Sequence, residues 1–170
     1  DHYALPDDEL AVAQANGRLG RNFMGYTTQR SDDMLGFGIS AIGFVNNTFF
    51  QNTHSLADWR ANLAQGEMAT KRGCALTPDD LLRKQIIQEL MCNFRVDKKS
   101  MEAQFNLPDF DETFVQARQE LAEAQEAGLL VWDQSEIRAT EIGRLFVRNL
   151  AMPFDRYLKG DTEQRYSQTV

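Results

Sequence analysis

The sequence predicts an α+β fold in which a glycine-rich, strand-forming first part precedes a mostly helical part broken by a β-hairpin. Three observations carry this expectation. Leu82, Ile86, Ile87, Leu90, Met91 and Phe94 recur at spacings of three and four behind the helix start Thr77-Pro78-Asp79-Asp80. Two short apolar runs, Leu129 to Val131 and Ile137 to Ala139, flank the turn residues Asp133 to Ser135, as the two strands of a hairpin do. Ahead of both, FGISAIGFV from Phe37 to Val45 lacks clean alternation and reads as a buried strand with tight turns.

The chain has 170 residues, of which 42% are hydrophobic and 25% charged, enough for one core or for one core with a small appendage. A formal net charge of -7 argues against broad nucleic-acid binding, which needs a basic surface, but leaves room for a local basic patch around an anionic small molecule. No run approaches the apolar length that spans a bilayer and no stretch has the order of a signal peptide, so a cytoplasmic location is expected. Cys74 and Cys92 are too far apart for a short metal motif, and both are expected to be reduced, with Cys92 buried on a helix. The histidines are His2 and His54, so a metal site of usual composition would have to lean on carboxylates.

In chain order, DHYA at Asp1 starts abruptly, as if cut from something larger, and His2 reads as a structural hydrogen-bonder rather than a catalyst. DDELAVAQANG then has a helical signature, with Asp7 as its cap. Arg21 to Gly43 gathers Gly25, Gly36, Gly38 and Gly43 with hydroxyls and aromatics, a stretch that can pass close to a ligand, although turns at strand ends need the same glycines. Asn46-Asn47 suggest a turn into a short strand, Thr48 to Gln51. His54 to Asn62 runs into a helix through Ser55, Leu56, Trp59 and Leu63, with Trp59 as a core or domain-boundary anchor, and Gly66 to Gly73 reads as a connector in which Arg72-Gly73 either touch an anion or form a solvated loop.

Beyond the helix that begins at Thr77, Arg95 to Lys99 turns the chain into a short helix carrying Met101 and Phe105. Asp111 opens a longer one, Glu112 to Ala127, with Phe114, Val115, Arg118, Leu121 and Ala122 along one stripe and Gly128 ending it. After the hairpin, Thr140 begins a last helix, Glu141 to Leu150, with Ile142, Leu145, Phe146 and Leu150 facing inward. Three helices, a hairpin and a helix make a winged-helix-like order, which raises a nucleic-acid hypothesis. Glu112, Glu120, Glu123 and Glu126 oppose it, because such a face repels phosphates, and packing against protein is the better fit.

Taken together, DHYALPDDELA, RNFMGYTT, GFGISAIG, LMCNFRVD and RNLAMPFDRYL resemble the C-terminal portion of the oxygen-independent coproporphyrinogen III oxidases, radical S-adenosylmethionine enzymes of haem biosynthesis. The resemblance spans nearly all of Asp1 to Lys159. It implies that residues 1–52 are the last strands of a partial (β/α) barrel, 53–75 a connecting helix and linker, 76–159 a helical domain with a hairpin wing, and 160–170 a flexible tail. In that family a deoxyadenosyl radical takes hydrogen from two propionates of coproporphyrinogen III, which lose carbon dioxide and become the vinyl groups of protoporphyrinogen IX. The 4Fe-4S cluster that makes the radical is held by clustered cysteines near the barrel's N-terminus, a motif with no match here. The resemblance therefore implies a piece inactive by itself, completed by the missing N-terminal barrel portion, and holding neither cluster nor S-adenosylmethionine tightly when alone.

The family binds two S-adenosylmethionine molecules. By position the resemblance assigns contacts with the second to Phe23 and Met24, before the glycine of the GYTT block, and to Ile42 in the next block. Well-known members carry glutamine where this chain has Met24, and a thioether is a weak acceptor and no donor. Arg21, Arg148 and Arg156 are candidates for orienting propionates, because a tetra-anionic porphyrinogen needs several cationic partners. Two alternatives stand beside this reading: a divergent radical S-adenosylmethionine protein with haem-binding or other activity, and a winged-helix module for protein or nucleic acid. Strands separated from a barrel expose unpaired backbone, so self-association of the chain through residues 1–50, or disorder there, is expected.

Overall fold

The computed structural model describes residues 4–31 and 33–158. His2 and the tail 160–170 lie outside them. The fold is α+β, with unclosed antiparallel sheets followed by a largely helical region that contains a β-hairpin. It divides into two compact units, Asp1–Leu81 and Leu82–Val170.

In the first unit, α1 (Glu9–Ala15) is capped by Asp8, whose carboxylate accepts the N–H of Leu10 at 2.8 Å. The cap falls one residue later than the expected Asp7 because Asp8 is the last extended residue. Strands β1 (Gly20–Asn22) and β2 (Gly25–Thr27) form a hairpin with Phe23 and Met24 at its tip, where Gly25 takes a φ of 120°. A second sheet has the order β3 (Ile42–Val45), β4 (Thr48–Asn52), β5 (Thr70–Ala75), all antiparallel. Asn46 and Asn47, at φ 47° and 59°, make the two-residue turn between β3 and β4 in the left-handed backbone that suits a hairpin. Helix α2 (Leu56–Ala64) starts on Ser55 and buries none of its residues. Trp59 is half-buried, which speaks against the core half of the expectation of a core or domain-boundary anchor.

Two expectations fail here for identifiable reasons. The strand expected from Phe37 begins only at Ile42, because Gly38 (φ 100°) and Ser40 (φ 55°) break extended backbone. The connector Gly66 to Gly73 gives way to β5, whose residues TKRGCA are all exposed and show no alternation; pairing with β4 alone makes it a strand.

Helix α3 (Pro78–Asn93) opens on a reciprocal cap, in which Thr77 Oγ1 accepts the Asp80 N–H at 3.2 Å and Asp80 Oδ2 accepts the Thr77 N–H at 2.9 Å. Such a box contributes about 1 kcal/mol to a helix start. From Leu82 onward its apolar face enters the core of the second unit, where Ile86 and Cys92 are completely buried. Phe94, at φ 58°, ends the helix and passes directly into β6 (Arg95–Asp97), which replaces the expected turn and places Val96 in the core. Asp97 caps α4 (Lys98–Phe105), and Asp109 caps α5 (Phe110–Thr113), two residues before the expected Asp111.

The single helix expected from Glu112 to Ala127 is three short ones, α5, α6 (Val115–Glu120) and α7 (Ala122–Glu126). The path bends at Phe114 and Leu121, both buried, while Val115 and Arg118 face solvent. Strands β7 (Leu130–Trp132) and β8 (Glu136–Ala139) form the expected hairpin, and β6 adds to it in the order β6-β8-β7. The last helix shortens to a 3-10 turn, Gly143–Phe146, and α8 (Val147–Ala151). Ile142, Leu145 and Phe146 turn outward with exposures of 65%, 67% and 45%, against the inward stripe expected of them. The cause is Gly143: its Cα packs against the Leu129 carbonyl so closely that an added Cβ would lie 1.7 Å from that oxygen, which turns the opposite face of the segment to solvent.

Candidate functional site

The glycine-rich stretch is organised by the face of the β3-β4-β5 sheet. Residues two apart on a strand share a face, and so do directly paired residues on neighbouring strands. Ile42, Gln51 and Arg72 therefore make one row across the sheet, and Phe44, Phe49 and Cys74 the next row on the same face. The tip of the β1-β2 hairpin lies over it: the Phe23 ring meets Phe49 edge-on at 5.5 Å, and Phe49 meets Phe44 at 4.4 Å. Phe23 thus packs over the sheet face that carries Ile42, a face aromatic at Phe44 and Phe49 and polar at Gln51 and Arg72.

Phe23 remains 58% exposed and Met24 92%, whereas Ile42 is half-buried. The Met24 N–H donates to Asn22 Oδ1 at 2.8 Å, so the tip is a closed turn. Residues 34–44 form a loop whose ends are tied by reciprocal bonds between Met34 and Phe44, at 2.7 and 2.8 Å. Gly36 runs against the backbone of Ile42, where a Cβ would stand 2.5 Å from the Ile42 carbonyl oxygen. This close approach is the reason for glycine at that position.

Arg21 is paired with Tyr26 across the hairpin, its guanidinium 6.0 Å from the ring centroid. Arg148 is exposed on α8 in the second unit, as is Arg156, which lies 5.5 Å from the Tyr157 ring. Arg72, considered above as an anion contact, instead gives both Nε and an Nη to Gln51 Oε1, at 2.8 and 2.5 Å. Gln51 and Asn52 were not singled out from the sequence, because an amide in a short strand carries no pattern of its own; their partners are described below.

The residues of this chain do not fit a 4Fe-4S cluster. Cys74 is exposed on β5, Cys92 is buried on α3, and among the described residues no group of three or more His, Cys, Asp or Glu is placed to hold a metal ion. No helix among them is long and apolar enough to cross a membrane.

The shifted ionisable groups lie elsewhere, in the second unit. Partial burial raises the pKa of Asp111, but hydrogen bonds from Lys98 and Trp132 and the charges of Lys98 and Arg118 outweigh it and hold the carboxyl below the usual range. Asp133 is lowered by the backbone N–H groups of Ser135 and Glu136 and by the Ser135 hydroxyl, which close the hairpin turn.

The molecule is thus of a class in which a sheet-and-hairpin unit offers a face with an aromatic row and a polar row, and a helical unit carries a three-stranded wing. Residues 76–146 match the HemN C-terminal domain. Over its whole length the chain is 42% identical to the oxygen-independent coproporphyrinogen III oxidase of Escherichia coli K12, 40% to that of Pseudomonas aeruginosa PAO1 and 36% to that of Helicobacter pylori, in each case covering 37% of the relative. A solved structure described as the coproporphyrinogen III oxidase HemN of E. coli, a radical SAM enzyme, superposes with a TM-score of 0.87 and 44% identity over 92% of this chain and 36% of that one. Along its full length the chain is similar to the oxygen-independent coproporphyrinogen III oxidases, and it spans a little over a third of the length of these three relatives.

Proposed function

We propose that this chain is the C-terminal portion of an oxygen-independent coproporphyrinogen III oxidase, a cytoplasmic enzyme that oxidatively decarboxylates two propionates of coproporphyrinogen III to give protoporphyrinogen IX. The observation that carries the reading is similarity of 36% to 42% identity running through the entire chain rather than through one domain. Residues 1–52 are read as the end of the catalytic barrel, 53–75 as the connection, 76–159 as the helical domain and 160–170 as a tail. The 4Fe-4S cluster and the rest of the barrel belong to the remainder of the parent protein, and the chain alone is inactive.

Within this reading the sheet face holds part of an S-adenosylmethionine. The exposed ring of Phe23 and the aliphatic edge of Ile42 suit the apolar face of an adenosyl group, and Met24 adds polarizable contact without a hydrogen bond. S-adenosylmethionine supplies the hydrogen-abstracting chemistry when bound; these residues only seat it. Arg21, Arg148 and Arg156 are proposed to orient carboxylates of the porphyrinogen.

The test is the full-length parent, purified without oxygen and supplied with coproporphyrinogen III, S-adenosylmethionine and a reductant, beside the variant Met24→Gln. Formation of protoporphyrinogen and carbon dioxide by the unchanged protein supports the reading. Cofactor cleavage without decarboxylation, or no cleavage, favours the second reading, a divergent relative with haem-binding or other activity, for which Met24 is the motivating residue.

A further inference from the structure

Two consecutive amides at the end of β4 hold the glycine-rich loop. Gln51 Nε2 donates to the Ser40 carbonyl at 2.9 Å, and Asn52 Nδ2 donates to the Gly38 carbonyl at 2.9 Å. Main-chain bonds join them: Ser40 N–H to the Thr53 carbonyl at 2.8 Å, and Asn52 N–H to the Ala41 carbonyl at 2.9 Å. Neighbouring strand residues ordinarily point to opposite faces. Here the register shifts between Gln51 and Asn52, leaving Lys71 of β5 without a β4 partner, and both amides reach the same turn.

The orientation of the Gln51 amide is set from the other side. Two guanidinium donors of Arg72 converge on Gln51 Oε1, so the oxygen must face Arg72 and the NH2 group must face Ser40. A flipped amide would set donors against donors and one carbonyl against another. The turn being held is costly for its residues. Ser40 is a non-glycine residue at φ 55°, a conformation that persists where surrounding contacts over-determine it. The row that makes the hold, Arg72, Gln51 and Ile42, lies on the sheet face where Phe23 docks.

We propose that Arg72 and Gln51, with Asn52, are positioning residues that fix the Gly38–Ala41 turn in the shape that presents Ile42 and the loop before it to S-adenosylmethionine. The proposal rests on the reading that this sheet face binds that cofactor. None of the three touches the ligand; each acts through the turn.

Gln51→Glu separates the two bonds Gln51 makes, because the carboxylate still accepts from Arg72 but cannot donate to Ser40. In the full-length parent, hydrogen exchange of the Ser40 and Asn52 amides is expected to accelerate about tenfold, the scale on which one lost hydrogen bond shifts a local opening equilibrium. The Phe44 and Phe50 amides should keep their protection, and the dissociation constant for S-adenosylmethionine, measured by equilibrium dialysis, should rise about tenfold. Arg72→Met should loosen the same amides, and Arg72→Lys, which keeps one donor, should restore much of their protection. Unchanged exchange at Ser40 and Asn52 in both Gln51→Glu and Arg72→Met overturns the proposal. Loosened exchange with unchanged cofactor affinity overturns it too, while leaving the cofactor reading intact if Ile42→Ala weakens binding. If neither Ile42→Ala nor Phe23→Ala alters binding, the cofactor reading itself fails and the proposal falls with it.

Discussion

Trp132 donates its indole N–H to Asp111 Oδ1 at 2.7 Å, the same oxygen that receives Lys98 Nζ at 2.7 Å. The lysine is 2% exposed, lies 5.2 Å from the Trp132 ring centroid and also donates to the Asp133 carbonyl. One carboxylate thus joins α4, α5 and the hairpin. Asp111→Ala is expected to destabilise the protein by about 3 kcal/mol, because it leaves a buried ammonium with the Asp133 carbonyl and the Trp132 ring but without the Asp111 counter-charge. Lys98→Met should cost about 1 kcal/mol, since Asp111 keeps Trp132 and Arg118 and the methionine fills most of the volume. Urea unfolding of the two variants measures the difference; equal costs would mean that Asp111 does not neutralise Lys98.

The same carboxylate gives a pH dependence. Its folded pKa is lowered, so its contribution is complete above the unfolded aspartate value of about 3.9 and is lost as pH falls through the folded value. Asp133 is lowered as well and acts in the same direction. Unfolding free energy should therefore decline on acidification below about pH 4, and Asp111→Asn should flatten that decline. A slope unchanged in Asp111→Asn would assign the acid sensitivity to other carboxylates.

Glycines with equal standing in the sequence should differ sharply on substitution. At Gly143 a methyl would meet the Leu129 backbone, which cannot move aside without breaking the hairpin, so Gly143→Ala is expected to cost about 3 kcal/mol. Gly17 has open space around it and a φ of 64°, so Gly17→Ala should cost only the strain of that backbone, about 1 kcal/mol. Gly43 is intermediate in kind, because its clash is with the ring of Phe50 at 2.2 Å, and Phe50→Leu should relieve Gly43→Ala in part. Thermal unfolding of these variants ranks them.

Strand β5 is exposed along its whole length at the edge of its sheet. Alone in solution, the chain is expected to associate through such edges, with Lys71 and Arg72 limiting the tendency as edge charges do. Sedimentation at several concentrations should show reversible association. A concentration-independent monomer with full amide protection over the first fifty residues would remove this expectation.

How much of this was legible in the sequence follows from which forces act locally. Helix α3 was readable because Thr77, Pro78 and Asp80 mark its start and Leu82 to Phe94 its face, all within a few residues of one another. The hairpin β7-β8 was readable for a similar reason. Strands β5 and β6 were not, since TKRGCA buries nothing and Arg95-Val96-Asp97 buries one side chain, and each exists only through a partner far along the chain. The breaks at Phe114 and Leu121 and the outward turn of Ile142 and Leu145 come from tertiary packing that overrides a plausible helical stripe. Within the candidate site, Phe23 and Ile42 were reachable through family resemblance. Gln51 and Asn52 were not, because their role lies in the carbonyls they meet eleven and fourteen residues away.

Phe94 has a further consequence. It is the single residue between the long helix, which ends at Asn93, and β6, which starts at Arg95, and its carbonyl receives the Ala139 N–H at 2.9 Å. With one residue between them and that residue bonded to the sheet, a roll of α3 about its axis is expected to carry β6 with it and, through the β6–β8 pairing, β8. The wing is thus tethered to that helix by one residue rather than by a loop.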